Sequence, residues 1–388
     1  MKRAHTVTDA DSLDKVNYNT AATIIESTAV LTKTYRLVDG KPTQETSANM
    51  AQGAATVKAF NTVHEPAAIL KGLKTNQAMS WGVVKNARPE QSIQVLSRKK
   101  YEEQGRPKNA VARTNEFFAW GASGGVMMLD FDFKGDAMPK DQIMQTLYSI
   151  MPKLQESAFI WWCSSSSFIY NGDTQHSGLK GQRIYILVKD ASDIERAGKV
   201  LFERLWLAGH GHFEISKAGS LLTRSIIDSS VWQPNRLDFI SGANCIAPMQ
   251  QKRPEPDIHD GAHVDTAIVL KDLTAAEQAQ VAALKEKAKA KISPEANAVK
   301  EQFIESTARK NLKFQRISSP SKEQLDQAKE TVKRAQKYDV LASDFVIYLD
   351  DMTAVTVGEI LSNPTKYNDK LTKDPLEPDY DGGRTVGR

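Results

Sequence analysis

The alternation of apolar and polar positions is sharpest at Val126-Met127-Met128-Leu129-Asp130-Phe131-Asp132-Phe133. Four consecutive apolar residues predict a buried central strand. Successive side chains of a strand point to opposite faces. Asp130 and Asp132 therefore share one face, and Leu129, Phe131 and Phe133 the other. Further strands are expected at 28–38, ahead of the turn signal Asp39-Gly40, and at 77–84, 158–163, 182–188 and 234–239. Helical period marks 66–74 (opened by Pro66), 138–154 and 191–209, the last with Ile194, Ala197, Val200, Leu201 and Leu205 along one side. Small residues at helical spacing predict a helix in 47–60, and Thr114 caps a short one over 114–120. Residues 171–182 are turn-rich.

Beyond Pro254 and Pro256 the pattern turns charged and helical. One helix is expected over 274–291 behind the capping box of Thr274 and Glu277, a second over 295–310 and a third over 322–337, with Ser318 to Ser321 as a break. Residues 338–361 read as a small α/β unit; 1–20 are polar and 371–388 rich in Pro, Gly and Asp. The fold class expected is α+β.

Composition narrows the field without deciding it. The 388 residues allow one large core or several domains, and the net charge of +4 permits nucleic-acid binding only through a local basic patch. No apolar run approaches the roughly 18 to 20 residues that span a bilayer. The basic start Met-Lys-Arg-Ala-His leads into no apolar segment, so no secretory signal is expected. Cys163 and Cys245 sit in apolar, strand-like context and read as reduced core thiols of a cytosolic protein. No Gly-x-x-x-x-Gly-Lys-Ser/Thr loop and no Gly-x-Ser-x-Gly elbow occurs.

The chemistry starts from the paired aspartates. Two carboxylates on one buried face repel each other and are costly to desolvate unless a cation sits between them. Mg²⁺ or Mn²⁺, hard cations that take carboxylate oxygen and leave room for phosphates, answers that need. An isolated Asp-x-Asp is more often a turn; the apolar run before Asp130 argues for more than that. Asp228, after Ile226-Ile227, is the candidate third carboxylate, although it also suits a cap on Ser229-Ser230. Ser164, Ser165, Ser166 and Ser167 follow a strongly apolar strand, where loops hold ligands. Lys180, Arg183, Arg224 and Arg236 could meet phosphate, a role suited to the guanidinium fork. A basic cluster, Arg98, Lys99, Lys100, Arg106, Lys108 and Arg113, with Trp120, offers charge and a stacking surface, although any one of these can be an ordinary solvated charge. His210-Gly211-His212 ends a helix and reads as a cap rather than a metal pair.

Taken in order, apolar-Asp-x-Asp, a serine-rich loop with its following strand, and a third Asp resemble the archaeo-eukaryotic primase superfamily, the primase-polymerase enzymes. The pattern is most similar to the primase domain at the N-terminus of replication proteins from bacterial mobile elements and prophages. It covers roughly residues 75–250 and is strengthened by Leu201-Phe-Glu-Arg-Leu-Trp-Leu-Ala-Gly-His-Gly211 and Ile227-Asp-Ser-Ser-Val-Trp-Gln-Pro-Asn-Arg-Leu-Asp-Phe239.

The resemblance implies a catalytic core with an RRM-like sheet at 61–257, after an N-terminal extension with a hairpin at 1–60. A charged helical accessory region at 258–337 and a small unit or linker at 338–388 would follow. It implies that Asp130, Asp132 and Asp228 hold two metal ions, Mg²⁺ or Mn²⁺, and that the enzyme synthesises primers on single-stranded DNA from NTPs or dNTPs. It also implies a replicative helicase as partner in cis or in trans, and a cytoplasmic setting in a bacterium or phage-infected host. The turn-rich end at Gly387-Arg388 suggests a truncated chain or a split gene. One position departs from the pattern. The family's second motif ends in His, and this chain has Arg183 there, with His176 in the preceding loop as the other candidate.

That departure leaves a rival reading, a primase fold that has lost activity and only binds origin DNA. Haloacid-dehalogenase phosphatases also place Asp-x-Asp after an apolar strand, but Lys134 stands where they need Thr or Val. Glycosyltransferases that use Asp-x-Asp do not explain Ser164 to Ser167, Arg183 and Asp228 in this order.

Overall fold

Small and β-branched side chains such as Ala22, Thr23, Ile25, Ala55 and Val57 suit closely paired strands, and they open the α+β fold. The computed structural model describes residues 20–46, 50–133, 135–338, 340–378, 383 and 385–387. Of the described residues, those within 1–211 and 225–281 form one compact unit, and those within 212–224 and 282–388 form a second.

The first unit begins with β1 (Thr20–Ser27), a hairpin of β2 (Thr34–Val38) and β3 (Lys41–Glu45), β4 (Gln52–Phe60) and α1 (His64–Gly72). It continues through β5 (Gln77–Ser80), β6 (Val83–Val84), β7 (Ser92–Leu96), α2 (Arg98–Glu103), β8 (Ala110–Ala112) and β9 (Phe118–Ala119). A five-stranded sheet in the order β5-β1-β4-β7-β8 results, antiparallel except between β7 and β8. Ile25, Ala55, Val57, Val95 and Phe118 lie in its core. Strands from the expected 1–60 extension thus share a sheet with strands from beyond residue 76.

Next come β10 (Gly125–Phe131), α3 (Lys140–Ile150), β11 (Phe159–Cys163), the small hairpin β12 (Ile169–Asn171) and β13 (Thr174–Ser177), β14 (Gln182–Val188) and α4 (Ile194–Leu207). The hairpin of β15 (Gly211–Ile215) and β16 (Leu221–Ser225) lies largely in the second unit. The first unit then resumes with β17 (Asn244–Cys245), β18 (Met249–Gln251), β19 (Asp257–His259) and α5 (Thr266–Val269). A second sheet runs β10-β14-β11-β19, antiparallel throughout. Two small sheets, β13-β12-β18 and β17-β2-β3, stand beside it. Tyr35, Ile169 and Met249 are buried together where the two meet.

The second unit holds most of α6 (Ala275–Phe314), α7 (Lys322–Tyr338), the hairpin of β20 (Val346–Tyr348) and β21 (Ala354–Thr356), and α8 (Val357–Ser362). Ile304, Ala308, Val332 and Ala335 pack with Phe345 and Ile347. Among the described residues no helix is long and apolar enough to cross a membrane.

Several expectations are corrected. Residues 52–60 are strand β4, not helix, and 47–49 lie outside the described residues. The small residues there serve backbone proximity: a Cβ on Gly53 would come 1.9 Å from the Glu26 carbonyl oxygen. The strand expected over 28–38 begins only at Thr34, and β1 before it went unmarked. Residues 114–120 make a single turn, with the amides of Phe117 and Phe118 donating to the Thr114 carbonyl, and then β9. Phe118 enters the sheet core, and Phe117 packs against that core and meets Tyr101 at 5.1 Å between ring centres. In 234–239 only an isolated bridge between Met79 and Asp238 forms. The helices expected over 274–291 and 295–310 are one continuous helix that runs through Pro294.

Candidate functional site

Asp130 is the last-but-one residue of β10 and pairs across the sheet with Arg183 of β14, which pairs in turn with Trp162 of β11. Directly paired residues share a face, so the register sets carboxylate beside guanidinium. Arg183 Nε and Nη2 lie 3.4 Å from the Asp130 carboxylate, a long contact. On its other side Arg183 Nη1 lies 2.7 Å from Oδ1 of Asp238, whose side chain is 0% exposed. Asp238 also accepts hydrogen bonds from Tyr185 Oη at 2.8 Å and Trp81 Nε1 at 3.2 Å.

This network fixes the charges. Burial pushes the Arg183 pKa down, but Asp130 and then Asp238 more than reverse it, so the guanidinium stays charged. Burial raises the Asp238 carboxyl, with Arg183 and the Tyr185 hydroxyl opposing. Asp132 lies just past the end of β10 and is exposed. Its pKa is raised, first by desolvation and then by Asp130, with Lys33 and Arg183 opposing and Asp228 adding to the rise. Burial pushes the Cys163 thiol up to about 11, so it is protonated at neutral pH, consistent with an inert core thiol.

Asp130, Asp132 and Arg183 open onto a cavity of about 480 Å³, within the range of small-molecule sites. Ser164, Ser165, Ser166, Lys180 and His176 line it too. Its remaining wall includes Lys33, Tyr35, Thr43 and Gln44 of the β2–β3 hairpin region, together with Ile169, Phe239 and Met249. Lys33 Nζ donates to Ser166 Oγ at 2.9 Å, and Tyr35 Oη donates to Gln44 Oε1 at 3.0 Å.

The other candidates are distributed differently. Ser167 is buried; its Oγ accepts from the Lys180 amide at 3.0 Å, so it braces the serine turn rather than facing the cavity. The Asp228 amide donates to the Asp130 carbonyl at 2.9 Å, which brings the third carboxylate beside β10. The Asp228 carboxylate itself accepts from Ser230 N at 2.8 Å and Ser230 Oγ at 2.9 Å, which is the capping role its sequence context also allowed. Arg236 is exposed and does not line the cavity. Arg224 belongs to the second unit, where it pairs with Glu214 at 3.2 Å.

The basic cluster divides as well. Arg98 and Lys108 are exposed, Lys99 pairs loosely with Glu103 at 3.8 Å, and Lys100 Nζ donates to Gln52. Arg106 pairs with Glu102 and Glu116, and Arg113 Nη1 donates to the Asn235 carbonyl at 3.0 Å. Trp120 Nε1 donates to Glu195 at 3.2 Å. His210 follows Gly209, whose φ is +83°, and its amide returns to the Leu205 carbonyl, the cap geometry expected.

Asp130, Asp132 and the serine hydroxyls offer a cation oxygen, the donor that Mg²⁺ and Mn²⁺ prefer, while His176 on the same wall offers nitrogen. Asp130 and Asp132 fit: they line one cavity, and the Asp132 carboxyl is raised first by desolvation and then by the neighbouring Asp130 charge, both of which a cation would offset. Among the described residues, no three His, Cys, Asp or Glu side chains are grouped to hold one ion, and Asp228 is turned to Ser230.

Sequence reasoning missed Lys33, Tyr35 and Asp238. Asp238 carried a signal, a lone acid between Leu237 and Phe239-Ile240. Lys33 and Tyr35 carried none, because only tertiary folding brings the hairpin to the serine loop. The chain matches no known protein family, no curated protein and no solved structure.

Proposed function

We propose that the chain is a DNA primase-polymerase that joins nucleotides on a single-stranded DNA template, using Mg²⁺ or Mn²⁺ bound by Asp130 and Asp132. The observation that carries this reading is the single cavity shared by the two aspartates and by Ser164, Ser165, Ser166, Lys180 and Arg183. Acidic groups for a metal and cationic or hydroxyl groups for phosphate are the two halves a nucleotidyl transferase needs. The strand order β10-β14-β11, with α3 after β10 and α4 after β14, also agrees with the RRM-like sheet of primase-polymerases.

The bound ions would supply charge neutralisation at the triphosphate and activation of the attacking hydroxyl. The chain's own residues do the positioning. Asp130 and Asp132 orient the metal-facing side, Arg183 sets a permanent positive charge beside them, and the serine turn presents hydroxyls at the cavity wall. Asp228 would join the metal ligands by turning away from Ser230. The template would lie on exposed surface carrying Arg98 and Lys108, and coupling to a helicase would serve replication of a mobile element or phage.

The test is incorporation of labelled NTPs or dNTPs on single-stranded DNA with Mg²⁺ or Mn²⁺. Asp130→Ala and Asp132→Ala should each lower it at least about 100-fold, the upper end of what residues behind metal ligands cost. The engagement of Asp130 by Arg183 favours the second reading, an inactive DNA-binding initiator. Template binding by the parent chain with no incorporation under any nucleotide set would establish that one instead.

A further inference from the structure

The β2–β3 hairpin region carries a cation that the primase comparison does not assign. Lys33 is half-buried at the cavity wall, and its Nζ donates to the neutral Ser166 hydroxyl at 2.9 Å. Among the described residues it forms no ion pair within 4 Å, although Asp132 is close enough for Lys33 to lower its pKa. The ammonium therefore keeps donor capacity facing a space that Lys180 and Arg183 also line.

Lys33 and Tyr35 are two residues apart, so along extended chain they face the same side. Tyr35 is buried with Ile169 and Met249 in an apolar wall of the same cavity. Lys33 thus shares one cavity with an apolar wall suited to a base or sugar and with Lys180, Arg183 and the serine hydroxyls, which suit phosphate.

We infer that Lys33 is a phosphate contact for a nucleoside triphosphate, and that in the ligand-free protein Ser166 holds its place. This inference rests on the nucleotide-binding reading of the cavity and adds an element from outside the catalytic sheet. A phosphate oxygen would replace the Ser166 hydroxyl as acceptor, and a charged acceptor makes the stronger bond.

Titration calorimetry with ATP, dATP, ADP and AMP in Mg²⁺ buffer tests it, with thermal unfolding of each variant as a check on folding. Lys33→Ala should weaken ATP or dATP binding about 10-fold or more and AMP binding by less than about 3-fold. Lys33→Arg should retain most of the affinity. Equal losses for triphosphate and monophosphate would mean that Lys33 merely props the hairpin, and would overturn the inference while leaving the cavity a nucleotide site. No change with Lys33→Ala in a protein that binds ATP would overturn it as well. Failure of the unaltered protein to bind any of the four probes would remove the nucleotide reading, and the inference with it.

Discussion

At the scale of single residues, Arg183 and Asp132 matter most. Arg183 is held on both sides, and Asp238 has no exposed surface through which to hydrate a charge left unpaired. Arg183→His should therefore destabilise the fold: a neutral imidazole would strand Asp238, and loss of a buried pair's partner costs about 3–5 kcal/mol. Arg183→His with Asp238→Asn should recover part of that loss, and denaturant unfolding of both single variants and the double variant measures the coupling. Asp132 carries the opposite sign. Its pKa is raised in the folded chain, so the native state holds that proton more tightly than the unfolded one, and ionisation costs stability as pH rises through the folded value. In metal-free buffer Asp132→Asn should be slightly more stable than the parent at pH 7, by about 0–1 kcal/mol for so exposed a group. The difference should vanish below the ordinary carboxylate range, and calorimetric melting in EDTA across pH would show it. Stability given up at Asp132 fits a residue kept for its chemistry.

At the scale of elements, the β2–β3 hairpin decides whether the cavity has a wall. Its turn was legible: Asp39 and Gly40 adopt φ of +50° and +73°, the left-handed pair of a tight hairpin. A Cβ on Gly40 would meet nothing within 4 Å, so Gly40→Val should cost only backbone strain, about 1–2 kcal/mol. Amide exchange over 34–45 should quicken about 5- to 30-fold, with β10 and β14 unaffected. Nucleotide affinity should fall with it if Lys33 and Tyr35 act from that hairpin. Strands β10, β11 and β14 and helix α4 were equally legible, because each buries one unbroken apolar pattern. Strand β4 and the turn at 114–120 were not. Ala54, Ala55 and Thr114 fit either conformation, and close strand packing and the burial of Phe118 in the sheet core settled the matter.

At the scale of the whole molecule, the chain does not divide in sequence order, because 212–224 joins 282–388. Within that unit Gln336 Nε2 donates to the Ala218 carbonyl, and a Cβ on Gly219 would meet Lys300 at 2.5 Å. A two-stranded hairpin is marginal alone. In a chain ending at residue 281, amide exchange over 212–224 should approach that of unfolded peptide, while β10 and β14 keep their protection. Parallel loss in those strands would show that the two units do not fold independently. The sequence by itself determined the buried strand that carries Asp130, the acidic pair at its end, the serine loop and the helices that follow, since each depends on local periodicity and turn chemistry. Only the tertiary structure decided that Arg183 is shared between Asp130 and Asp238, that Asp228 faces Ser230, and that Lys33 reaches Ser166. Those contacts join residues 53, 55, 2 and 133 positions apart. The long-range ones exist only once the chain has folded, and even the short Asp228–Ser230 bond is a side-chain orientation that periodicity does not encode.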